Sequence, residues 1–237
     1  MRISNCADYQ EMSSLAADLV QEELKKNSKL LFCAATGNSP AGLYEEMSTR
    51  SRTTTGLFEQ MRIIKLDEWG GVPENHPVSC EYFIRNKLLE PLAISSERYL
   101  TFRSDPEDPQ EECQSIRTTL EKEGPIDLCV LGLGQNGHLG FIEPGDFLEP
   151  FCHVARLTEK SLEHDMIATI DIKPRYGITL GLQEILSSRK IILLVTGGGK
   201  KGILARLMKR QISTQLPASF LWTHENVACL VDQSVQD

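Results

Sequence analysis

The chain reads as an α/β protein built on a mostly parallel sheet with helices on both faces. Short apolar runs alternate with stretches of helical periodicity almost from end to end. Several of those runs stop at loops of glycine, hydroxyl or acidic residues, and the carboxyl ends of parallel strands are where such proteins place ligands. No repeat, low-complexity tract or linker divides the 237 residues, so one domain spanning 1–237 is expected.

The elements follow in order. Met12, Leu15, Ala16, Leu19, Val20 and Leu24 recur at helical spacing. The run Leu30–Ala35 is a strand, Thr36–Pro40 a loop, and a second helix begins at Ala41. Arg62–Leu66 is a short strand. Ser79 precedes a helix carrying Tyr82, Phe83, Ile84, Leu88 and Leu89. Tyr99–Phe102 reads as a strand, and the charge-rich Glu111–Lys122 as a solvated helix. Ile126–Leu131 is a strand, a helix lies near Leu180–Ser187, and Lys190–Val195 is another strand. Glycines 197–199 lead into a helix from Lys200 to Lys209, and Val227–Val231 closes as a strand. Residues 140–174 are the least regular. Such a long irregular connection predicts a segment that covers the active site, with a mobile helix at Glu159–Ala168.

A net charge of −8 argues against a nucleic-acid surface. The start, MRISNCADYQEM, lacks the apolar core of a signal peptide, and no run of about 20 apolar residues offers a membrane span. The seven cysteines are scattered without C-x-x-C spacing and read as reduced thiols of a cytoplasmic protein.

Four loops carry the chemistry. Gly132-Leu133-Gly134-Gln135-Asn136-Gly137 matches a dinucleotide-binding pattern. Gly140, Pro144 and Gly145 leave no room for the helix that pattern requires, so no nicotinamide or flavin cofactor is expected. The same turn delivers His138 and Glu143, and an imidazole there can move protons near neutral pH. Thr36-Gly37-Asn38-Ser39 joins a strand to a helix, as a phosphate site or as a helix cap. Asp67 and Glu68 follow a strand and point in different directions, so that one can face the crevice as a base while the other is held in the wall; the alternative is a solvated acidic loop. Thr196–Lys200 sets a lysine at a helix start, which becomes sensible beside a bound phosphate; the alternative is a flexible surface turn. Leu194 and Lys201 break the Walker A pattern. Together the loops suggest proton transfer on a sugar phosphate, with no metal required.

Five ordered motifs carry a resemblance over nearly the full length: ATGNSPAGLY (35–44), KLDEWGGVPENHPVSC (65–80), LGLGQNGHLGFIEPG (131–145), GITLGLQEIL (177–186) and LLVTGGGKK (193–201). In them the chain resembles the glucosamine/galactosamine-6-phosphate isomerase (deaminase) family, related to the 6-phosphogluconolactonases, and its galactosamine branch above all. The resemblance implies a Rossmann-like α/β sheet. It also implies conversion of an amino-sugar 6-phosphate and water to a ketose 6-phosphate and ammonia. It places Asp67 on the carboxylate that moves a proton between C2 and C1, His138 on the ring-opening histidine, and Glu143 on the residue that orients it. Thr36, Gly37, Asn38, Ser39 and Lys200 fall on the phosphate clamp. Asn136 stands where the glucosamine branch carries an aspartate, and an amide can hold His138 without supplying charge. His164 falls near that branch's phosphate-gripping arginine, with Arg175 a nearby substitute. A small-molecule amino-sugar phosphate is the expected partner, with homo-oligomers known among relatives. The rival readings are a lactonase using His138 to activate water, and a non-catalytic sugar-phosphate sensor.

Overall fold

A computed structural model describes residues 1–157 and 172–236. The elements in chain order are β1 (Arg2–Cys6), α1 (Tyr9–Lys26), β2 (Leu31–Ala34), α2 (Asn38–Thr53), β3 (Arg62–Lys65), β4 (Asp67–Gly70), α3 (Cys80–Ile84), β5 (Tyr99–Leu100) and α4 (Pro109–Glu123). They continue with β6 (Leu128–Gly132), β7 (His153–Ala155), β8 (Tyr176–Thr179), α5 (Leu182–Leu186), β9 (Lys190–Val195), α6 (Lys201–Leu207) and β10 (Val227–Asp232).

Seven strands form one sheet in the order β1-β10-β9-β6-β2-β3-β5, and every pairing in it is parallel. Successive strand residues face opposite layers, so the apolar runs fill two cores at once. Phe32, Ala34, Val130, Ile192 and Leu194 pack with the faces of α1 and α2, which supply Met12, Val20, Leu43 and Met47. Leu31, Cys33, Cys129, Leu131, Ile191 and Leu193 pack on the other side with Cys113 and Ile116 of α4, Ile185 of α5 and Ile203 of α6. The two-faced parallel sheet expected from the sequence is what forms.

Chain direction reverses beside β2. From β2 the chain moves outward to β3 and β5, then returns to β6 on β2's other side and moves outward again to β9 and β10. That reversal opens a crevice at the carboxyl edge between β2 and β6.

A second sheet was not foreseen. Asp67–Gly70 continues from β3 as a strand in its own right, pairing antiparallel with β8, which pairs antiparallel with β7. Trp69 of β4 packs against Phe141 with the rings tilted by 60° and 4.4 Å between centroids, inside a small apolar cluster with Val72, Cys80 and Ala155. The sheet adds order to the span read as irregular from the sequence, since β7 lies within residues 140–174. The helix expected at Glu159–Ala168 falls outside the described residues. β1 was also missed; four of its five residues are exposed, and it pairs on one side only, with β10. Helix α2 starts at Asn38, three residues before the expected start, with Pro40 accommodated in its first turn. The helix after Ser79 passes from α3 into a π-helical turn at Arg85–Leu89. Among the described residues no helix is long and apolar enough to cross a membrane.

Candidate active site

The four loops singled out in the sequence leave β9, β6, β2 and β3, which are consecutive neighbours in the sheet. All four therefore meet at one edge.

β2 ends in Ala35–Gly37. Gly37 has φ of +96°, which a side chain would strain, and a Cβ there would point into open space. The turn sends the chain into α2, so Asn38 and Ser39 belong to a helical first turn rather than to a loop. The unshared N–H groups of that turn suit an anion. Tyr9 braces it: its hydroxyl donates to Asn38 O at 2.6 Å and accepts from Gly42 N at 2.7 Å. Ser39 is buried, and its Oγ lies against Gly132 at the end of β6, across the crevice.

β3 ends in a divided pair of carboxylates. Glu68 is fully buried; its carboxylate accepts from the backbone N–H of Trp69, Cys80 and Glu81 at 2.8–2.9 Å and from Lys65 Nζ at 2.7 Å. It thereby caps α3 alongside Ser79, whose Oγ accepts from Tyr82 N. Lys65 is equally buried and also donates to Glu81 at 3.0 Å, while Glu81 takes Tyr99 Oη at 2.8 Å and Arg85 at 2.8 Å. Asp67 has little of this support. Only 8% of it is exposed, and its Oδ1 has no hydrogen-bond partner among the described residues. Burial first, then the neighbouring charge of Glu68, raises its pKa to about 7, against the pull of Lys65. The two carboxylates are held differently, Glu68 within a set of donors and Asp67 buried outside it.

β6 ends in the turn that carries His138. No helix follows Gly137, as the glycine spacing predicted. Gly134 lies under the imidazole; a Cβ there would sit 2.5 Å from three ring atoms. His138 Nδ1 is 3.5 Å from Glu143 Oε1. Asn136 ties the two ends of the turn together: its Nδ2 donates to Glu143 Oε2 at 2.7 Å, and its Oδ1 accepts from His138 N at 3.1 Å. The amide thus holds both the histidine's backbone and the glutamate behind its ring.

Gly140, with φ of +53°, brings this turn onto Asp67. A Cβ there would meet Thr179 Oγ1 at 2.8 Å and Asp67 Oδ2 at 3.3 Å. Thr179 faces Asp67 in the β4–β8 pairing and accepts from Phe141 N at 3.3 Å. It is a structural member of the site that the sequence reading missed, because a lone threonine in a short strand carries no spacing signal.

β9 ends in Thr196–Gly199. Asp232, buried at the end of β10, accepts from the Thr196 hydroxyl and from Ser234 N, and Ser234 Oγ accepts from Gly197 N at 3.2 Å. This C-terminal brace was also missed. Lys200 stands at the N-cap of α6, half-buried, its pKa lowered by burial and partly restored by Asp232. Gly199 approaches Gln135 of the histidine turn, with 3.5 Å from a Cβ to Nε2.

His164 lies outside the described residues. Arg175 pairs with the exposed Asp105 and crowds Gly71, beyond the far end of β4 from Asp67, so it does not join the β2 and β9 loops. Among the described residues no group of three or more His, Cys, Asp or Glu side chains is arranged to hold a metal ion.

A buried carboxylate with a pKa raised to about 7, a histidine–glutamate pair and two loops suited to anions gather at one sheet edge of an α/β fold. Residues 7–229 match the family of glucosamine-6-phosphate isomerases/6-phosphogluconolactonase, and the chain belongs to that family. It is 36% identical over 225 residues to AgaI of Escherichia coli (strain K12), named as a candidate deaminase, covering 95% of this chain and 89% of that one. It is 34% identical to the glucosamine-6-phosphate deaminase of Clostridium perfringens (strain 13 / Type A), covering 98% of this chain and 97% of that one. The solved structure of a monomeric glucosamine-6-phosphate deaminase superposes with a TM-score of 0.92 at 28% identity, over 99% of this chain and 98% of that one. A 6-phosphogluconolactonase from Trypanosoma brucei shares the fold, with a TM-score of 0.80 at 22% identity, over 98% and 96% of the two chains.

Proposed function

We propose that the chain is an isomerase and deaminase of an amino-sugar 6-phosphate, with galactosamine 6-phosphate its substrate and tagatose 6-phosphate and ammonia its products. The observation that carries this reading is the approach of the Asp67 carboxylate to the His138–Glu143 turn at Gly140. A base for carbon and a proton shuttle for oxygen are then available to one small molecule.

The substrate phosphate sits between the first turn of α2, with Thr36, Gly37, Asn38 and Ser39, and Lys200 on the opposite loop. His138 carries a proton between the anomeric hydroxyl and the ring oxygen and opens the pyranose. Glu143 orients the ring and balances its transient positive charge. The C1 aldehyde acidifies the C2 hydrogen. Asp67 takes that proton as a carboxylate and returns it to C1 as a carboxylic acid, leaving an imine at C2. Water adds to the imine, ammonia leaves, and the ketose remains. A pKa of about 7 suits a group that must both accept and return a proton.

Asn136 supports the galactose epimer. It gives this turn one carboxylate where the glucosamine branch has two, as the family resemblance describes. A lactonase would use the phosphate loops and His138 but has no carbon proton to move, so Asp67 would be idle in it.

The test is ammonia release from galactosamine 6-phosphate and glucosamine 6-phosphate in parallel, with 6-phosphogluconolactone hydrolysis as control. Ammonia chiefly from the galactose epimer supports the reading. Ammonia chiefly from the glucose epimer keeps the mechanism and overturns the substrate. Lactone hydrolysis without ammonia overturns both.

A further inference from the structure

His138 and Glu143 flank a tight turn. Leu139 N donates to Ile142 O at 3.4 Å and Ile142 N donates to Leu139 O at 2.9 Å, which leaves Gly140 and Phe141 at the tip. That tip is docked on the second sheet. The Phe141 ring packs on Trp69 of β4 and over Gly177 of β8, where a Cβ would lie 2.6 Å from a ring carbon. Its backbone N–H donates to Thr179 Oγ1 at 3.3 Å. Thr179 is fully buried, and its own hydroxyl donates to Leu180 O at 3.0 Å, so the oxygen faces Phe141 as an acceptor. The strand partner of Thr179 on β4 is Asp67, and residues directly opposite in an antiparallel pair turn their side chains to the same face. Gly140 closes the arrangement, since a Cβ there would meet Thr179 Oγ1 at 2.8 Å and Asp67 Oδ2 at 3.3 Å. Thr179 thus stands beside the proposed base and under the tip of the turn that carries the histidine.

We propose that Thr179 is a positioning residue that sets the spacing between Asp67 and the His138–Glu143 pair, by holding the Phe141 N–H at the tip of their turn. This rests on the reading of Asp67 as the carbon base and His138 as the proton shuttle. One sugar must meet the imidazole at its ring oxygen and the carboxylate at C2 while its phosphate stays in place. A misplacement of about 1 Å between such groups costs about 100-fold in rate. Apolar packing of the Phe141 ring holds the turn down but has no direction of its own. The hydrogen bond supplies the direction. A β-branched residue suits the task, because its χ1 is stiff and the strand itself aims the hydroxyl. Base and shuttle are thereby fixed to one frame, the β4–β8 pair.

The experiment compares Thr179→Val and Thr179→Ser with the unmodified protein by two readouts. One is kcat and KM for ammonia release from the preferred amino-sugar 6-phosphate. The other is solvent exchange of the Phe141 amide hydrogen, followed by NMR. Valine keeps the shape but cannot accept, so Phe141 exchange should quicken about tenfold and kcat should fall about 10–100-fold. KM should stay within about twofold, because the phosphate loops are untouched. Serine restores the acceptor and should bring both exchange and kcat back to within about threefold of the parent. A merely structural threonine would lower thermal stability and quicken Phe141 exchange while leaving kcat within about twofold, and that result overturns the proposal. A serine variant as slow as the valine one overturns it too. If Thr179→Val does not fold, Thr179→Ala takes its place against serine: loss of kcat in alanine alone supports the proposal, and equal rates in the two refute it. Should Asp67→Asn retain the full deamination rate, the base is misassigned and the proposal falls with it. With Asp67→Asn inactive and Thr179→Val at full rate, the base stands and the positioning role alone is refuted.

Discussion

Replacing Asp67 by asparagine should remove activity and make the protein more stable at the same time. Asp67 is buried without a hydrogen bond to Oδ1, and its pKa rises from 3.8 to about 7 on folding. Between those values the native state holds a proton that the unfolded chain has lost, so stability falls as pH rises through this window. The loss is absent below 3.8 and complete just above 7. A rise of about three pKa units corresponds to about 4 kcal/mol of stability given up at pH 8. Asparagine is close in shape and does not titrate. Its own packing effect is constant with pH, so the difference in unfolding free energy between variant and parent isolates the carboxylate. Urea denaturation at pH 5 and pH 8 should show that difference growing by about 2–3 kcal/mol in the variant's favour. The same substitution should lower kcat for deamination by about 10²–10⁴-fold, the usual contribution of a carbon base. In the parent, kcat/KM should climb with pH through about 7 and then level, because the ionised carboxylate is the active form. A stability difference independent of pH would refute the burial argument, and an unchanged kcat would refute the assignment of the base.

Further expectations follow from the same geometry. Gly134→Ala sets a methyl 2.5 Å from the His138 ring and should displace it, lowering kcat about 100-fold while product phosphate binding by calorimetry stays within about twofold. Lys200→Met should weaken binding of the sugar 6-phosphate by about 10–150-fold, as loss of a charged hydrogen bond does, and leave binding of the unphosphorylated sugar unchanged. Glu68→Gln removes the fixed charge that helps raise the Asp67 pKa, so the acid limb of the rate profile should move to lower pH. The same variant leaves Lys65 short of a buried partner and should lose about 3–5 kcal/mol in urea denaturation.

The parallel sheet was legible because its strands are buried on both faces and have to be apolar throughout. Leu31–Ala34 and residues 191–195 show this, each buried at every position. The strands that escaped are those for which burial does not demand apolar residues. β1 is an edge with four exposed residues, and its sequence, RISNC, carries no pattern. β4 is wholly buried yet reads DEWG, and two adjacent acids in a sequence ordinarily mean solvent. What makes them tolerable is three-dimensional: Lys65 beneath them, and the N-terminus of α3 brought in from residues 80–81. The loops at the sheet edge were legible because their glycines and hydroxyls announce a turn after a strand. The braces behind them, Thr179 and Asp232, were not, since each acts through one long-range contact that local spacing cannot encode.

The contrast within β4 explains how one dipeptide yields both a fixed structural carboxylate and one with a raised pKa. Glu68 has an ammonium and three N–H donors, enough to keep a carboxylate ionised without water. Asp67, one residue away, receives the burial and Glu68's negative charge but little of the donor set, so its proton is held to about pH 7. The structural carboxylate therefore helps raise the pKa of the proposed base beside it, and the two are not interchangeable. Combining Asp67→Glu with Glu68→Asp would keep composition and net charge. The shorter side chain at position 68 could not reach Lys65 and the α3 N–H groups together, and the longer one at position 67 would enter the space that Gly140 leaves open. Both stability and deamination should fail in that double variant, as urea denaturation and ammonia release would read them. If either survived intact, the division of labour argued from these distances would be wrong.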